Sequence, residues 1–293
     1  SVDKAIDGLE EFDYPVVIKA DGLCLGKGVV ICESRSEGID ALKHIMVDKT
    51  FGSQGDTIII EEYLVGTETS LLCFVSDGRI FPMESAKDYK RIFDGDRGAN
   101  TGGVGCFSPN PLMDEDLKKT IQREILSNIE KGLEYEYLDY NGILFIGLML
   151  TEKGPKVLEF NCRFGDPETE VLIPRLETDI IDIFQKTIDG NLRTEDLIWT
   201  ERPCVTIVAT TKGYPGSYEK DKEIKGLYDL DKDIIIFHNG TKRIGNKLYT
   251  NGGRVLSVTA LGDTLEDARN RSYDNIDRLN FQGIYYRKDI AEK

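Results

Sequence analysis

The chain has 293 residues, 52 of them acidic against 37 basic, and a formal net charge of −15. That balance argues against general nucleic-acid binding, although a local basic pocket can still take a small anion. No apolar run approaches the ~18 residues of a membrane-spanning helix, the acidic opening SVDKAIDGLEEFDY lacks the layout of a signal peptide, and only two histidines, His44 and His238, occur, which excludes a His-rich metal site.

The length suggests two or three domains. The chain opens like the tail of a helix and enters a strand, Val16 to Lys19. The Gly-rich ADGLCLGKG follows, then a strand from Val29 to Cys32. Ser34 or Ser36 caps a helix with Ile39, Leu42 and Ile45 or Met46 on one face. A strand from Thr57 to Glu62 closes this small α+β unit. Residues 68–75 and 79–85 pair through the turn SDGR, and a Gly-rich loop runs from about Asp94 to Gly105. Asp114 begins a long helix with an apolar stripe of Leu117, Ile121, Ile125, Ile129 and Leu133. Strands 143–150 and 156–162 flank the turn TEKGP, and Thr178 or Asp179 caps a helix to about Asp189. A further unit begins at Pro203: strand 204–210, loop KGYPG, strands 234–238 and 254–261, and helix 264–279.

The cysteines Cys24, Cys32, Cys73, Cys106, Cys162 and Cys204 form no C-x-x-C pair. They read as reduced, buried thiols of a cytoplasmic protein. Chemistry therefore rests on carboxylates, lysines, arginines and backbone amides. Lys19 and Lys27 flank ADGLCLGKG, where a glycine loop lets backbone N–H groups approach phosphate. The spacing is not that of a Walker A loop, and a plain hairpin with solvated lysines stands as the bland alternative. Lys19 weighs against it, because it ends an apolar strand on the side that should face inward.

IIIEEYLVGTE (58–68) is either a strand end with solvated glutamates or a purine-binding edge. In the second reading the backbone of 62–64 bonds the base, Glu61 accepts from its amino group and Glu68 binds ribose hydroxyls. DYKRIFDGDRGANTGGVG (88–105) is either a charged surface loop or an anion-binding loop over a substrate. Lys90, Arg91 and Arg97 supply charge there, and NTGG supplies hydroxyl and amide donors. In VLEFNCRFGDPETE (157–170), Glu159 and Asn161 lie two apart on one face of a strand. They are hard oxygen ligands of the kind Mg²⁺ takes when it also holds phosphates. Arg163, on the same face if the strand continues, can bind a carboxylate or phosphate bidentately.

The order of these stretches resembles the ATP-grasp superfamily. VVIKADGLCLGKGV, IIIEEYLVGTE, KDYKR, NTGGVG, LEFNCRFGDPETE, KGYPG and TNGGRVLSVTALG together are similar to the glycinamide ribonucleotide synthetase (phosphoribosylamine–glycine ligase) family, from about residue 12 to the end. The resemblance implies an α+β, ATP-grasp fold: a lid over residues 1–64, a catalytic half over 65–198, and a small C-terminal α+β domain over 199–293. It implies ATP with Mg²⁺ or Mn²⁺, glycine and 5-phosphoribosylamine as small-molecule substrates, and no nucleic-acid or membrane partner; a monomer is slightly favoured.

By the same resemblance, Lys19 and Lys27 serve ATP phosphates. Glu61, Glu62 and Leu64 serve adenine, Glu68 serves ribose, and Glu159 and Asn161 bind the metal. Lys90, Arg91, Asn100, Gly103, Arg163, Asp166 and Glu168 face the glycine and sugar-phosphate side, and TNGGR (250–254) reaches in from the C-terminal unit. Two departures stand out. The strand ILFIGLML carries no acid where many ATP-grasp enzymes have another metal ligand, and the family's N-terminal domain is missing, so the chain looks like a fragment that is inactive alone. The rivals are another ATP-grasp carboxylate–amine ligase, which NCRFGDPETE followed by TNGGR argues against, and a non-catalytic ATP-binding module, which the retained Lys19, Glu159, Asn161 and Arg163 argue against.

Overall fold

A strand forms where buried Val16, Ile18 and Ala20 alternate with half-buried Val17 and Lys19. The computed structural model that shows this describes residues 1–22, 24 and 28–292. It divides into two units, Ser1–Gly66 and Thr67–Lys293.

In the first unit, helix α1 (Val2–Gly8) precedes β1 (Val16–Ala20). Then come β2 (Val29–Cys32), helix α2 (Arg35–Leu42) with a π turn to Val47, and β3 (Ile58–Glu62). The sheet order is β2-β1-β3, all antiparallel. Ser34 is the cap of α2, accepting from the Glu37 amide. Val16, Ile18, Ala20 and Cys32 pack with Leu9, Ala41, Leu42 and Ile45 into a core. Lys19 is on the other face of the strand from that core. The period of two puts Val16, Ile18 and Ala20 inward and Lys19 away from them, contrary to the inward-facing expectation.

The second unit opens with a hairpin, β4 (Thr67–Ser76) and β5 (Arg79–Pro82). Next are β6 (Lys87–Asp88) and a second hairpin, β7 (Arg91–Phe93) with β8 (Arg97–Asn100), followed by β9 (Gly105–Ser108). The stretch expected to be a plain Gly-rich loop thus carries paired strands.

Asp114 caps α3 (Glu115–Ile121), which runs through a π turn (Gln122–Leu126) into α4 (Ser127–Tyr135). The stripe Leu117, Ile121, Ile125, Ile129 and Leu133 packs on one core cluster. Its strict step of four overshoots the 3.6-residue turn, and the wider π turn takes up part of the drift. Strands β10 (Gly142–Thr151) and β11 (Gly154–Asn161) complete a four-stranded antiparallel sheet, β11-β10-β4-β5. Helices α5 (Thr169–Leu172) and α6 (Ile180–Ile188) follow, α6 capped by Asp179.

The remaining strands are β12 (Cys204–Thr211), β13 (Glu223–Ile224), β14 (Ile235–His238), β15 (Thr241–Ile244), β16 (Lys247–Thr250) and β17 (Arg254–Leu261). Helix α7 (Leu265–Ile276) and β18 (Ile284–Tyr285) end the element order. A six-stranded sheet runs β14-β17-β12-β9-β6, with β18 also on β12. Residues 87–88 and 105–108 therefore share a sheet with β12, β14, β17 and β18 of the later chain. The expected boundary near residue 199 is crossed by main-chain pairing, Cys204 opposite Ser108 and Ile207 opposite Gly105.

Candidate active site

In the first unit, Lys19 Nζ lies 2.6 Å from Glu61 Oε2. The register places Val17 opposite Glu61 and Lys19 opposite Ile59, so these four side chains share one face. Val29 and Ile31, paired with Lys19 and Val17, extend it, and both are exposed together with Ile59. The face is thus apolar with one ion pair, the make-up of a surface that can cover a flat ring beside a charged group. Glu62 is exposed opposite Val16, and Leu64 is half-buried just beyond the strand. Lys27 lies outside the described residues.

In the second unit, the polar residues gather on three neighbouring strands. Gly147 of β10 is flanked by Ser70 of β4 on one side and Glu159 of β11 on the other. Gly147 leaves room for Glu159, since a Cβ there would come within 3.1 Å of Glu159 Cγ. The Asn161 amide nitrogen is 3.4 Å from Glu159 Oε1, so the pair expected to share a face does meet. The strand ends at Asn161, and Arg163 reaches back from beyond it, its Nη2 at 3.5 Å from Asn161 Oδ1 and its Nη1 donating to the Phe164 carbonyl at 2.8 Å. Among the described residues no cluster of three or more His, Cys, Asp or Glu side chains suits a metal ion. Two adjacent hard oxygens on a strand end still fit a divalent cation that draws its other ligands from phosphate and water.

Lys90 joins this row through Glu68, with Nζ to Oε2 at 3.0 Å. Burial opposes its charge, but Asp88 and Glu68 outweigh burial and hold the ammonium above its ordinary pKa; Glu159 adds to them. Glu168 is only 3% exposed and accepts a 2.8 Å hydrogen bond from the Ser70 hydroxyl. Burial pushes its carboxyl up, and it also raises Asp88, whose own burial is the larger cause. In this geometry Glu168 acts on its surroundings through Ser70 and Lys90 and is not open for contact.

The NTGG stretch is not an open cradle of donors. The Thr101 amide donates to the Lys90 carbonyl at 2.8 Å, the Gly103 amide to Thr101 Oγ1 at 3.0 Å, and the Val104 amide to the Tyr89 carbonyl at 2.9 Å. The Thr101 hydroxyl donates to Lys90 O at 2.7 Å, and the Gly102 amide donates to the Tyr214 hydroxyl at 3.1 Å. These donors are spent inside the fold, so the expected anion contact through them finds none free. Asn100, exposed at the end of β8, keeps its side chain outside these bonds. Gly103 has φ +108°, and a Cβ there would meet Pro167 Cδ at 2.4 Å, so this loop and the turn at Asp166 pack together.

Arg254 of TNGGR does reach this region. Its Nη1 donates to the carbonyls of Gly102 at 2.9 Å and Asp166 at 3.1 Å, and its Nη2 donates to Asp166 Oδ2 at 2.9 Å. Behind it lies Glu170, 7% exposed and accepting from Thr206 Oγ1 at 3.3 Å. Burial pushes the Glu170 carboxyl up to about 7.

The hairpin β7–β8 is held from the chain's C-terminal end. Arg287, its side chain 1% exposed, pairs with Asp96 at 2.8 Å and Asp289 at 2.6 Å. It also stacks 4.8 Å from the Tyr89 ring centre. Asp88, Ser70, Glu170, Tyr214 and Arg287 were not singled out from the sequence as site residues. Asp88 and Glu170 sit in motifs that drew attention for other members, whereas the roles of Tyr214 and Arg287 depend on contacts across more than a hundred residues.

Comparison with known proteins bears on this geometry. The family model described as "Phosphoribosylglycinamide synthetase, ATP-grasp (A) domain" matches residues 1–169, and that described as "Phosphoribosylglycinamide synthetase, C domain" matches residues 204–293. The chain belongs to the phosphoribosylglycinamide synthetase family. It is similar to the phosphoribosylamine–glycine ligase of Caldanaerobacter subterraneus subsp. tengcongensis, 45% identical over 98% of this chain and 69% of that protein. It is 44% identical to the human trifunctional purine biosynthetic protein adenosine-3 over 95% of this chain and 28% of that protein. The crystal structure of the phosphoribosylamine–glycine ligase from Thermotoga maritima superposes with a TM-score of 0.88 at 35% identity, over 99% of this chain and 72% of that one. A biotin carboxylase domain from Hydrogenobacter thermophilus, in complex with ADP and magnesium, superposes at 0.73 with 16% identity, a likeness of fold alone. The Thermotoga maritima ligase thus shares the fold along nearly the whole of this chain.

Proposed function

We propose that this chain provides the phosphoribosylamine–glycine ligase chemistry of its family: ATP, glycine and 5-phosphoribosylamine give glycinamide ribonucleotide, ADP and phosphate. The observation that carries the reading is the row Ser70, Gly147, Glu159, with Asn161, Lys90 and Arg163 around it. It sets cations beside hard oxygen donors on a chain whose relatives at about 45% identity carry that name.

In this reading the glycine carboxylate attacks the γ-phosphorus and releases ADP. The sugar amine then attacks the acyl carbon of glycyl phosphate, and phosphate leaves as the amine gives up a proton. No protein nucleophile is required, so the protein supplies positioning and charge neutralisation. Lys90, kept charged by Asp88 and Glu68, is assigned to the glycine and sugar-phosphate side. Glu159 and Asn161 would hold Mg²⁺ or Mn²⁺, which neutralises phosphate charge when bound. Arg163 and Asn100 are assigned to the glycine and sugar-phosphate side, with Asp166 and Gly103 shaping it. On the first unit, Lys19 and Lys27 are assigned to phosphates, Glu61, Glu62 and Leu64 to adenine; on the second, Glu68 is assigned to ribose.

The test is calorimetric titration with Mg²⁺·ATP together with phosphate release in the presence of glycine and phosphoribosylamine. Nucleotide binding that Glu159→Ala weakens is expected, and any phosphate release should need both co-substrates. A chain that binds no nucleotide, or hydrolyses ATP indifferently to both co-substrates, would overturn the reading.

A further inference from the structure

We propose that Arg254 is a positioning residue of the substrate side of the site, acting through the Gly102–Gly103 loop and the Asp166 turn. The inference rests on the ligase reading above and adds to it a member supplied by the C-terminal part of the fold. Arg254 begins β17, where the pairing with β12 slips: Ala209 faces Leu256 but Thr210 faces Arg254. The extra residue, Val255, makes a bulge, a device that re-aims a neighbouring side chain and is common beside active sites.

The neighbouring main chain fixes this bulge. The Thr211 amide donates to the Gly253 carbonyl at 2.8 Å and the Thr211 hydroxyl to Gly252 O at 3.0 Å. Tyr214 lies so close over Gly253 that a Cβ there would meet its ring at 2.1 Å. Tyr214 in turn accepts from the Gly102 amide. Arg254 and Tyr214 therefore hold Gly102 from both sides, the first at its carbonyl and the second at its amide.

The guanidinium spends its donors on acceptors outside its own sheet: Gly102 O, Gly103 O at 3.3 Å, Asp166 O and the Asp166 carboxylate. Both loops carry residues assigned to the substrate, Asn100 and Gly103 on one, Arg163 and Asp166 on the other. A planar five-donor fork satisfies carbonyls and a carboxylate at once, and a lysine ammonium cannot reproduce that geometry. A strut that only stabilised the C-terminal sheet would have no need to bridge these two loops.

The test compares wild type, Arg254→Ala and Arg254→Lys for Mg²⁺·ATP affinity by calorimetry, for the KM of each co-substrate, and for kcat. Because the nucleotide residues lie elsewhere, ATP affinity should stay close to wild type in both variants. The KM for glycine or for phosphoribosylamine should rise by about ten- to a hundred-fold in Arg254→Ala, the usual effect of losing charged hydrogen bonds. Arg254→Lys should recover only part of it, and millimolar guanidinium should restore part of the Arg254→Ala loss. Hydrogen exchange gives a readout independent of turnover: the Gly102 amide should lose protection in Arg254→Ala while the amides of β12 and β17 keep theirs. A lowered melting temperature with unchanged KM values, and exchange rising across the whole sheet, would make Arg254 a strut only and overturn the proposal. A wild-type chain whose phosphate release ignores glycine and phosphoribosylamine would instead sink the ligase reading. In that case the exchange arm alone decides whether Arg254 holds the loop.

Discussion

Gly147 stands directly opposite Glu159 in the β10–β11 ladder, and a methyl group at 147 would come within 3.1 Å of Glu159 Cγ. Glu159→Ala should weaken Mg²⁺·ATP binding by roughly ten- to a hundred-fold, as loss of a charged partner does. Gly147→Ala should weaken it less, since Glu159 need move only slightly. Both variants should melt close to wild type. Calorimetric titration decides the matter, and unchanged affinity in Glu159→Ala would remove that residue from the metal and phosphate region.

Glu170 gives a pH signature. Burial lifts its carboxyl from 4.5 to about 7. Between those values the unfolded chain gives up the proton while the folded chain keeps it, so stability falls as pH rises through that window and then levels off. A shift of this size corresponds to about 3 kcal/mol. Glu170→Gln is neutral in both states and should remove that slope, gaining up to about 3 kcal/mol over wild type at pH 8 and little below pH 4.5. Urea titrations across that range measure it; parallel curves for the two proteins would show that Glu170 ionises normally.

Cys162 is the exposed thiol, whereas Cys32, Cys73, Cys106 and Cys204 are buried and Cys24 is half-buried. The expectation of buried cysteines fails here because β11 ends at Asn161 and Cys162 lies just beyond it, in the exposed bend that follows. Iodoacetamide should therefore label Cys162 first. Saturating Mg²⁺·ATP should slow that labelling several-fold, since a bound ligand protects the state it occupies. Peptide mass mapping with and without nucleotide gives the answer, and equal rates would separate Cys162 from the nucleotide region.

Arg287 is buried between Asp96 and Asp289 and over Tyr89. Removing one partner of a buried pair typically costs about 3–5 kcal/mol. Asp96 is 69% exposed and can be rehydrated, which places Arg287→Ala at the low end, about 3 kcal/mol. Arg287→Lys should recover little, because a single ammonium cannot serve both carboxylates and the Arg91 carbonyl together. Chemical denaturation checks the loss, and a variant as stable as wild type would show that the C-terminal tail does not hold the β7–β8 hairpin.

Much of the architecture was legible because local signals were strong. Asp114, Asp179 and Ser34 cap helices as their types suggest, and the four-residue stripe from Leu117 to Leu133 marks its helix despite the π turn within it. Glu159 and Asn161 were placed together by nothing more than strand periodicity. The side of Lys19 was misjudged because an apolar strand of one short sheet has two faces, and sequence alone does not say which is covered. The 91–100 hairpin was missed because its glycines read as loop, while its stability comes from Asp289, Lys288 and Arg287 far along the chain. Long-range tertiary partners of this kind leave no periodic trace.

The six-stranded sheet also bears on how such a chain can be divided. Strand β9 hydrogen-bonds to β12 along Cys204 to Ile207, and β6 extends the same sheet beyond β9. A protein engineer who severed the polypeptide at residues 199–203 and expressed the halves apart would strip two strands from one half and expose a raw edge on the other. The halves should then need co-expression to be soluble. A break at the tip of the 245–246 turn, between β15 and β16, leaves the six-stranded sheet's ladders intact and is the better place to nick, insert or permute.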